Sequence, residues 1–255
     1  MNSFERVMNI SARDLAVEWD ALAAERHNQI IKGLDITFHH VMVPMVKSLV
    51  GPDFRGVLVD VGSGTGELTQ KLAYNFKEII CIEPSIKSMA ISKRVLKKYK
   101  NVKFHNRDFE HAALKFEDGE DVTFIAAMVM SATSDIEGFA YKMSKMAPVG
   151  ARFIATIPHP CFWPRYWGYD KEDWYSYKRE LFVQAPFKTS LVESSLKTTH
   201  VHRPLEKYLN LFSSLGFFLE VMHEPVPDPI VQSFYPKEWE FPRFIGFRWV
   251  KAFNV

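Results

Sequence analysis

Apolar runs and apolar stripes alternate along most of this chain. Val57, Leu58, Val59 and Val61 form an almost unbroken apolar run that stops at Gly62, as in a parallel strand buried on both faces. Leu68, Leu72, Ala73 and Phe76 follow at helical spacing. The alternation then repeats. Residues 78–83 (E-I-I-C-I-E) read as a second buried strand, 85–99 as a helix with Met89 near its start, 102–106 (V-K-F-H-N) as a third strand and 121–127 (D-V-T-F-I-A-A) as a fourth. A helix over 134–147, closed by Pro148-Val149-Gly150, leads to a fifth strand at 151–157 (A-R-F-I-A-T-I). Strands that alternate with helices predict an α/β fold with a doubly wound, mostly parallel sheet.

The flanks read differently. Residues 11–50 carry Leu15, Trp19, Leu22 and Ala23 at helical spacing, then a second apolar-faced helix from Ile36 to Leu49, ended by Gly51-Pro52. Past the fifth strand, Pro158-His159-Pro160-Cys161-Phe162 fixes a loop, because a proline on each side of His159 stops a helix from propagating there. Phe162, Trp163, Tyr166, Trp167, Tyr169, Trp174, Tyr175 and Tyr177 then crowd one short region, with possible strands near 181–185 and 198–202. That density of rings suits either the wall of a ligand site or a satellite core. A helix over 205–215 stops at Gly216, and 217–224 and 244–253 read as two closing strands, making seven in all. The chain divides into an N-terminal helical lid (1–52), a core (53–160), an inserted aromatic cap (161–202) and a closing helix with strands (203–255).

Composition narrows the function classes without naming one. The 255 residues are 47% hydrophobic and 24% charged, which suits one large domain with elaborations. A formal charge of +2 gives no strong field toward nucleic acid, and no stretch approaches a membrane span. Met1 to Ile10 lacks a signal-peptide pattern, and two distant cysteines, Cys81 and Cys161, suggest no disulfide framework, so a cytoplasmic location is expected. The basic run Lys93, Arg94, Lys97, Lys98 and Lys100 reads as a solvated helix face or as an RNA contact.

Candidate chemistry concentrates where the first strand meets its glycines. The spacing Gly62, Gly64, Gly66 puts the last glycine one residue too early for a dinucleotide fingerprint. Asp60, two residues before Gly62, would repel a pyrophosphate but suits a ligand carrying an ammonium and a sulfonium. Glu83 ends the second strand about twenty residues on, where α/β sites place a carboxylate on ribose hydroxyls.

The stretch Val59-Asp60-Val61-Gly62-Ser63-Gly64-Thr65-Gly66 resembles the first motif of class I S-adenosylmethionine-dependent methyltransferases. The resemblance spans about 55–253 and implies a Rossmann-like sheet of the class I type, S-adenosylmethionine as cofactor and S-adenosylhomocysteine as product. It assigns cofactor binding to Asp60, Gly62, Ser63, Gly64, Gly66, Glu83, Pro84, Met89, Asp108, Phe109 and Ala126. Asp108 would accept from the adenine amino group, with Phe109 along the base; alternatively it caps a helix. Met128 and Met130 line the methionine portion or belong to the core. The His-Pro-Cys-Phe-like loop at 159–162, with H-R-P-L at 202–205, resembles bacterial small-molecule methyltransferases of natural-product type.

The N-terminal helices resemble a segment that folds over the cofactor, which would bring Trp19 and His27 to the ligand if they are not core. The expected reaction is methylation of oxygen or nitrogen on a small metabolite in biosynthesis, with His159 as leading candidate base and His202 as second. An RNA-modifying enzyme and a non-catalytic binding protein are the alternatives. No metal site is expected, since His200 and His202 alone are too few ligands for zinc.

Overall fold

The computed structural model describes residues 4–8, 10–53 and 55–255. In chain order the strands are β1 (Glu5–Val7), β2 (Val57–Val61), β3 (Glu78–Ile82), β4 (Val102–His105), β5 (Val122–Ala127), β6 (Arg152–Pro158), β7 (Leu181–Lys188), β8 (Glu193–His202), β9 (Phe217–His223) and β10 (Phe244–Lys251). The helices are α1 (Ala12–Ile31), α2 (Val43–Val50), α3 (Glu67–Leu72), α4 (Ile86–Val95), α5 (Ile136–Met146), α6 (Trp163–Trp167), α7 (Leu205–Ser214) and α8 (Pro229–Gln232).

Seven strands form one sheet in the order β4-β3-β2-β5-β6-β10-β9. β2, β3, β4, β5 and β6 pair in parallel, and only β10 runs against its neighbours. Alternate residues of each strand feed two cores, because successive side chains leave opposite faces of a sheet. Val59, Phe124 and Phe153 pack with α5 and α7, whereas Leu58, Ile125 and Ile154 pack with α2. The first core is the more aromatic. Phe153 stacks on Trp249 at 5.4 Å and 16°, and Trp249 stacks in turn on Phe247 at 4.7 Å.

The seven-stranded, doubly wound architecture agrees with the sequence reading, and each strand of that sheet lies within a residue or two of its expected place. The cap strands run further than expected, to Lys188 and from Glu193, and the helix expected over 85–99 ends at Val95. Two further features differ. The helix expected over 36–49 is broken in kind, with a π-helical turn at Phe38–Met42 before α2. Pro44 sits in the first turn of α2 and has no N–H to continue the ladder, and Val43 N–H reaches back to the Phe38 carbonyl. The second difference is β1, a three-residue strand with no periodic signal of its own. It pairs antiparallel with β7 and completes a second sheet, β1-β7-β8.

That second sheet is the cap, and it is tied to the core at its end. Val201 N–H donates to the Ser131 carbonyl at 2.7 Å. Arg203 is fully buried, with Nη1 and Nη2 donating to the Met130 and Thr133 carbonyls at 2.8 Å each, while Nε pairs with Glu180. No described helix is long and apolar enough to cross a membrane. Phe153→Ala empties the middle of the aromatic core and is expected to cost about 3–5 kcal/mol, read as a lowered urea midpoint with an unchanged slope.

Candidate functional site

Strand order reverses between β2 and β5, since the chain goes from β2 outward to β3 and β4 before returning to β5. Loops leaving the carboxyl ends of those strands therefore diverge, and the gap between them is where open α/β sheets bind ligands. The glycine loop fills one side of the gap. Gly62, Gly64 and Gly66 all hold positive φ, +64°, +56° and +89°. A side chain at Gly62 would strike Val129 at 2.5 Å and one at Gly66 would strike Ser92 at 2.7 Å, whereas Gly64 faces open space. The tight glycines thus hold the loop against the core while the middle one leaves room over the backbone. Ser63 Oγ, buried beside it, has no hydrogen-bond partner among the described residues.

Two carboxyls stand under this loop. Asp60 is 2% exposed and accepts from Thr69 Oγ1 at 2.5 Å, and burial pushes its pKa up to about 6. Glu83 accepts from Gly64 N–H at 2.9 Å and from Ser85 N–H at 2.8 Å. Burial, assisted by the charge of Asp60, pushes Glu83 up to about 7. Both acids are costly to ionise where they stand, so a cation arriving there would stabilise their charged forms. The acids fit the ammonium and ribose hydroxyls of S-adenosylmethionine, with open space over Gly64 and the unpartnered Ser63 Oγ beside them, while the N–H groups of Gly62, Ser63, Gly64 and Gly66 are bonded within the protein.

The other expected cofactor residues distribute around the same edge. Pro84 is half-buried after β3, with its carbonyl and that of Glu83 accepting from Asn106 Nδ2. Met89 is buried in the first turn of α4, and Ala126 is wholly buried in β5. Asp108 precedes a short 3-10 turn at 109–111 but makes no side-chain cap bond, and its carboxylate lies 3.5 Å from His111. Phe109 points its ring into the core, 5.1 Å from Phe139. At the end of β5, Met128 holds φ +65°, a left-handed conformation rare outside glycine, while Met130 is core.

The lid helix is fastened to both halves of the site. Asp20 on α1 accepts from Ser85 Oγ at 2.5 Å and from Lys87 N–H at 3.0 Å, and His27 pairs with Glu67, which also accepts from Thr65 Oγ1 at 2.5 Å. On the cap side, Glu18 accepts from Thr199 N–H at 2.7 Å. Trp19 is half-buried, edge-on to Phe187 at 5.9 Å. Sequence reasoning missed Asp20, Thr69 and Glu67; the Ser85 cap position ahead of α4 was the one local hint.

The histidines occupy the far side. His159 is buried, its Nδ1 accepting from Cys161 N–H at 3.2 Å and its Nε2 2.6 Å from Glu224 Oε1. Both of its ring nitrogens are thereby engaged within the protein. His202 donates Nε2–H to the Tyr177 carbonyl at 3.0 Å, leaving Nδ1 as an acceptor, and burial lowers its pKa so that the ring stays neutral. His200, two residues earlier on β8, faces the same aromatic interior: Tyr169 lies tilted against the His200 ring at 5.6 Å and edge-on to the His202 ring at 6.5 Å. Desolvation pushes His200 down to about 3, and its sealed Nδ1 has no partner among the described residues. Ser131, Pro158, Pro160 and Trp163 complete a small cavity with these two histidines. Among the described residues no three His, Cys, Asp or Glu side chains cluster to hold a metal.

Comparison with known proteins bears on this arrangement. Residues 58–147 match the family model described as a methyltransferase domain. Ribosomal RNA small subunit methyltransferase A of Bacillus cytotoxicus is 30% identical over 123 residues, 42% of this chain and 41% of that protein, so the chain spans about two fifths of that relative's length. Among solved structures, a protein from Listeria monocytogenes assigned to the S-adenosylmethionine-dependent methyltransferases superposes with a TM-score of 0.63 at 19% identity, over 81% of this chain and 97% of its own. A Thermotoga maritima S-adenosylmethionine-dependent methyltransferase, described as a possible histamine N-methyltransferase, gives 0.61 at 17% identity over 93% and 100%. These two likenesses establish the fold.

The raised acids give the site a pH signature. Folding holds Asp60 and Glu83 protonated above their unfolded values, so the stability they contribute is full below about pH 4 and is lost as pH rises through about 6 and 7. Thermal unfolding of the ligand-free protein is expected to show that decline, on the order of 3 kcal/mol per group. Asp60→Asn and Glu83→Gln should each flatten it. An unchanged profile in both variants would contradict the assignment.

Proposed function

Because the chain carries a class I S-adenosylmethionine-dependent methyltransferase domain, whose cofactor is S-adenosylmethionine, we propose that it methylates an oxygen or nitrogen of a small-molecule metabolite. The observation that carries this reading is the cap. A three-stranded sheet and the aromatic helix α6 stand over the carboxyl edge beside β5 and β6, with buried histidines and rings facing the cavity beneath. The cavity itself has room for about one water, so it is the cap over the carboxyl edge, and not the size of the cavity, that supports a small acceptor. A cytoplasmic role in secondary-metabolite biosynthesis accords with it and with free cysteines at Cys81 and Cys161.

The cofactor supplies a methyl group activated on a sulfonium. In this reading Asp60 serves its ammonium, Glu83 its ribose, and the loop from Gly62 to Gly66 lies along its methionine portion with Ser63. Pro84, Met89, Asp108, Phe109 and Ala126 border the adenosine and the sulfur. The protein's remaining work is to align a nucleophile with the methyl group and exclude water. His202 becomes the preferred base, because its Nδ1 lone pair is free and its ring stays neutral. His159 would instead position the loop, since Cys161 and Glu224 take both nitrogens.

A second reading rests on the ribosomal RNA relative. In that case the exposed basic end of α4, with Lys93 and Arg94, and Lys97 in the turn that follows it, would contact RNA. Calorimetric titration separates the branches. S-adenosylhomocysteine is expected to bind saturably and NADH not at all, and RNA affinity should be weak and nonspecific. Tight, steeply salt-dependent binding of ribosomal RNA would favour the second reading. With an accepted phenol or amine in hand, His202→Ala is expected to lower kcat about 100-fold and leave S-adenosylhomocysteine affinity intact; turnover at the wild-type rate would remove His202 as base.

A further inference from the structure

Arg243 is the one guanidinium near the site whose surroundings do not account for it. It is 7% exposed, and its carbon lies 4.0 Å from the centroid of Tyr166, 4.4 Å from Trp239 and 5.8 Å from Tyr235. Ring faces attract a cation, yet they shield most of it from water and offer no lone pair to its N–H groups. Its hydrogen bonds are long contacts from Nη2 to the Lys237 and Glu238 carbonyls, at 3.3 and 3.4 Å. Nε and Nη1 have no partner among the described residues, and no carboxylate comes within ion-pair distance. The nearest acid, Glu240, is half exposed and pairs instead with Arg165 at 3.6 Å and Lys237 at 3.2 Å.

Arg203 shows what a structural guanidinium looks like in this protein. It is more deeply buried, and all three of its nitrogens find an oxygen. A buried charge left without a counter-ion is expensive, and proteins tolerate it chiefly where a ligand supplies the missing charge. Desolvation by the cage lowers the pKa of Arg243 from the ordinary guanidinium value without bringing it near neutrality.

Its position connects that vacancy to methyl transfer. Arg243 immediately precedes β10, whose first residue Phe244 pairs with Pro158 at the end of β6, and the Arg243 carbonyl accepts from His159 N–H at 2.9 Å. β10 is two strands from β5, about 10 Å at ordinary strand spacing. Trp163 bridges the two places. It packs 5.2 Å from Phe244 and 5.3 Å from Tyr166 while lining the histidine cavity. A molecule about one ring long would reach from the end of β5 to the cage.

We infer that Arg243 binds a carboxylate on the methyl acceptor, so that the substrate is an acidic small molecule carrying its nucleophilic oxygen or nitrogen several bonds from that carboxylate. The planar fork of Arg243 matches a carboxylate in two-point contact. A single guanidinium, with the neighbouring Arg165 and Lys237 already paired to Glu240, matches one negative charge better than the two of a phosphate monoester. The inference rests on the small-molecule reading above and specifies its substrate class.

The test uses pairs of probes that differ only in the anion: 4-hydroxybenzoate and 4-hydroxybenzamide, anthranilate and anthranilamide, 6-aminohexanoate and its amide. Each is titrated into the protein saturated with S-adenosylhomocysteine, with tryptophan fluorescence as readout because Trp239 stacks on the guanidinium. At least one acid is expected to bind wild type about tenfold or more tightly than its amide. Arg243→Lys should shrink that preference and Arg243→Gln abolish it, with S-adenosylhomocysteine affinity unchanged in both. The wild-type comparison stands even if a variant folds poorly. Acids and amides bound alike, or a preference that survives in Arg243→Gln, would overturn the carboxylate site alone. Binding of no probe at all, while S-adenosylhomocysteine still binds, would count against the small-molecule reading and take this inference with it.

Discussion

The reversal of strand order between β2 and β5 is the constraint on which the rest of the molecule depends. Loops after β2 and β3 lean one way and those after β5 and β6 the other, so the carboxyl edge opens there and nowhere else along the parallel strands. The glycines after β2 keep that opening clear on one side. On the other, the left-handed Met128 turns the chain sharply as it leaves β5. What the cleft needs chemically is then a matter of which side chains the strand ends deliver to it.

They deliver buried acids on one side and buried rings on the other. Burial makes both Asp60 and Glu83 costly to ionise, the charge of Asp60 adds to the cost at Glu83, and Thr69, Gly64 and Ser85 relieve only part of it. Such an arrangement is destabilising in isolation and favourable to a cationic ligand, the usual exchange of stability for binding at a functional site. The acceptor side has the opposite character. His200 and His202 are kept neutral by desolvation, and the fixed cation Arg243 waits in an aromatic cage beyond them.

The lid and the cap are coupled to the core through one helix and one short strand. α1 touches α4 through Asp20, the glycine loop through His27 and Glu67, and the cap through Glu18, while β1 adds an edge to the cap sheet. Movement of α1 would therefore disturb the cofactor side and the acceptor side together. Fully buried Arg203 fixes the cap at its root, and at the opposite end the β7–β8 turn is tied through Ser190 to Thr37 and Asp35.

Local pattern determined the parallel sheet, because strands buried on both faces leave continuous apolar runs and glycines mark their ends. It determined the cofactor class as well, since the spacing of Gly62, Gly64 and Gly66 and the position of Asp60 are properties of a single stretch. The antiparallel closure by β9 and β10 was legible for the same reason. β1 was not, as three residues without periodicity become a strand only when β7 offers an edge. Partnerships across the chain were invisible too: His27 with Glu67, Asp20 with Ser85, Glu224 with the His159 ring. Tertiary structure alone decided that His159 has both nitrogens engaged while His202 keeps one free, and that Arg243, far along the chain from Tyr166, sits caged and unpaired beside the same loop. Those outcomes depend on distances between segments that no spacing in the sequence encodes.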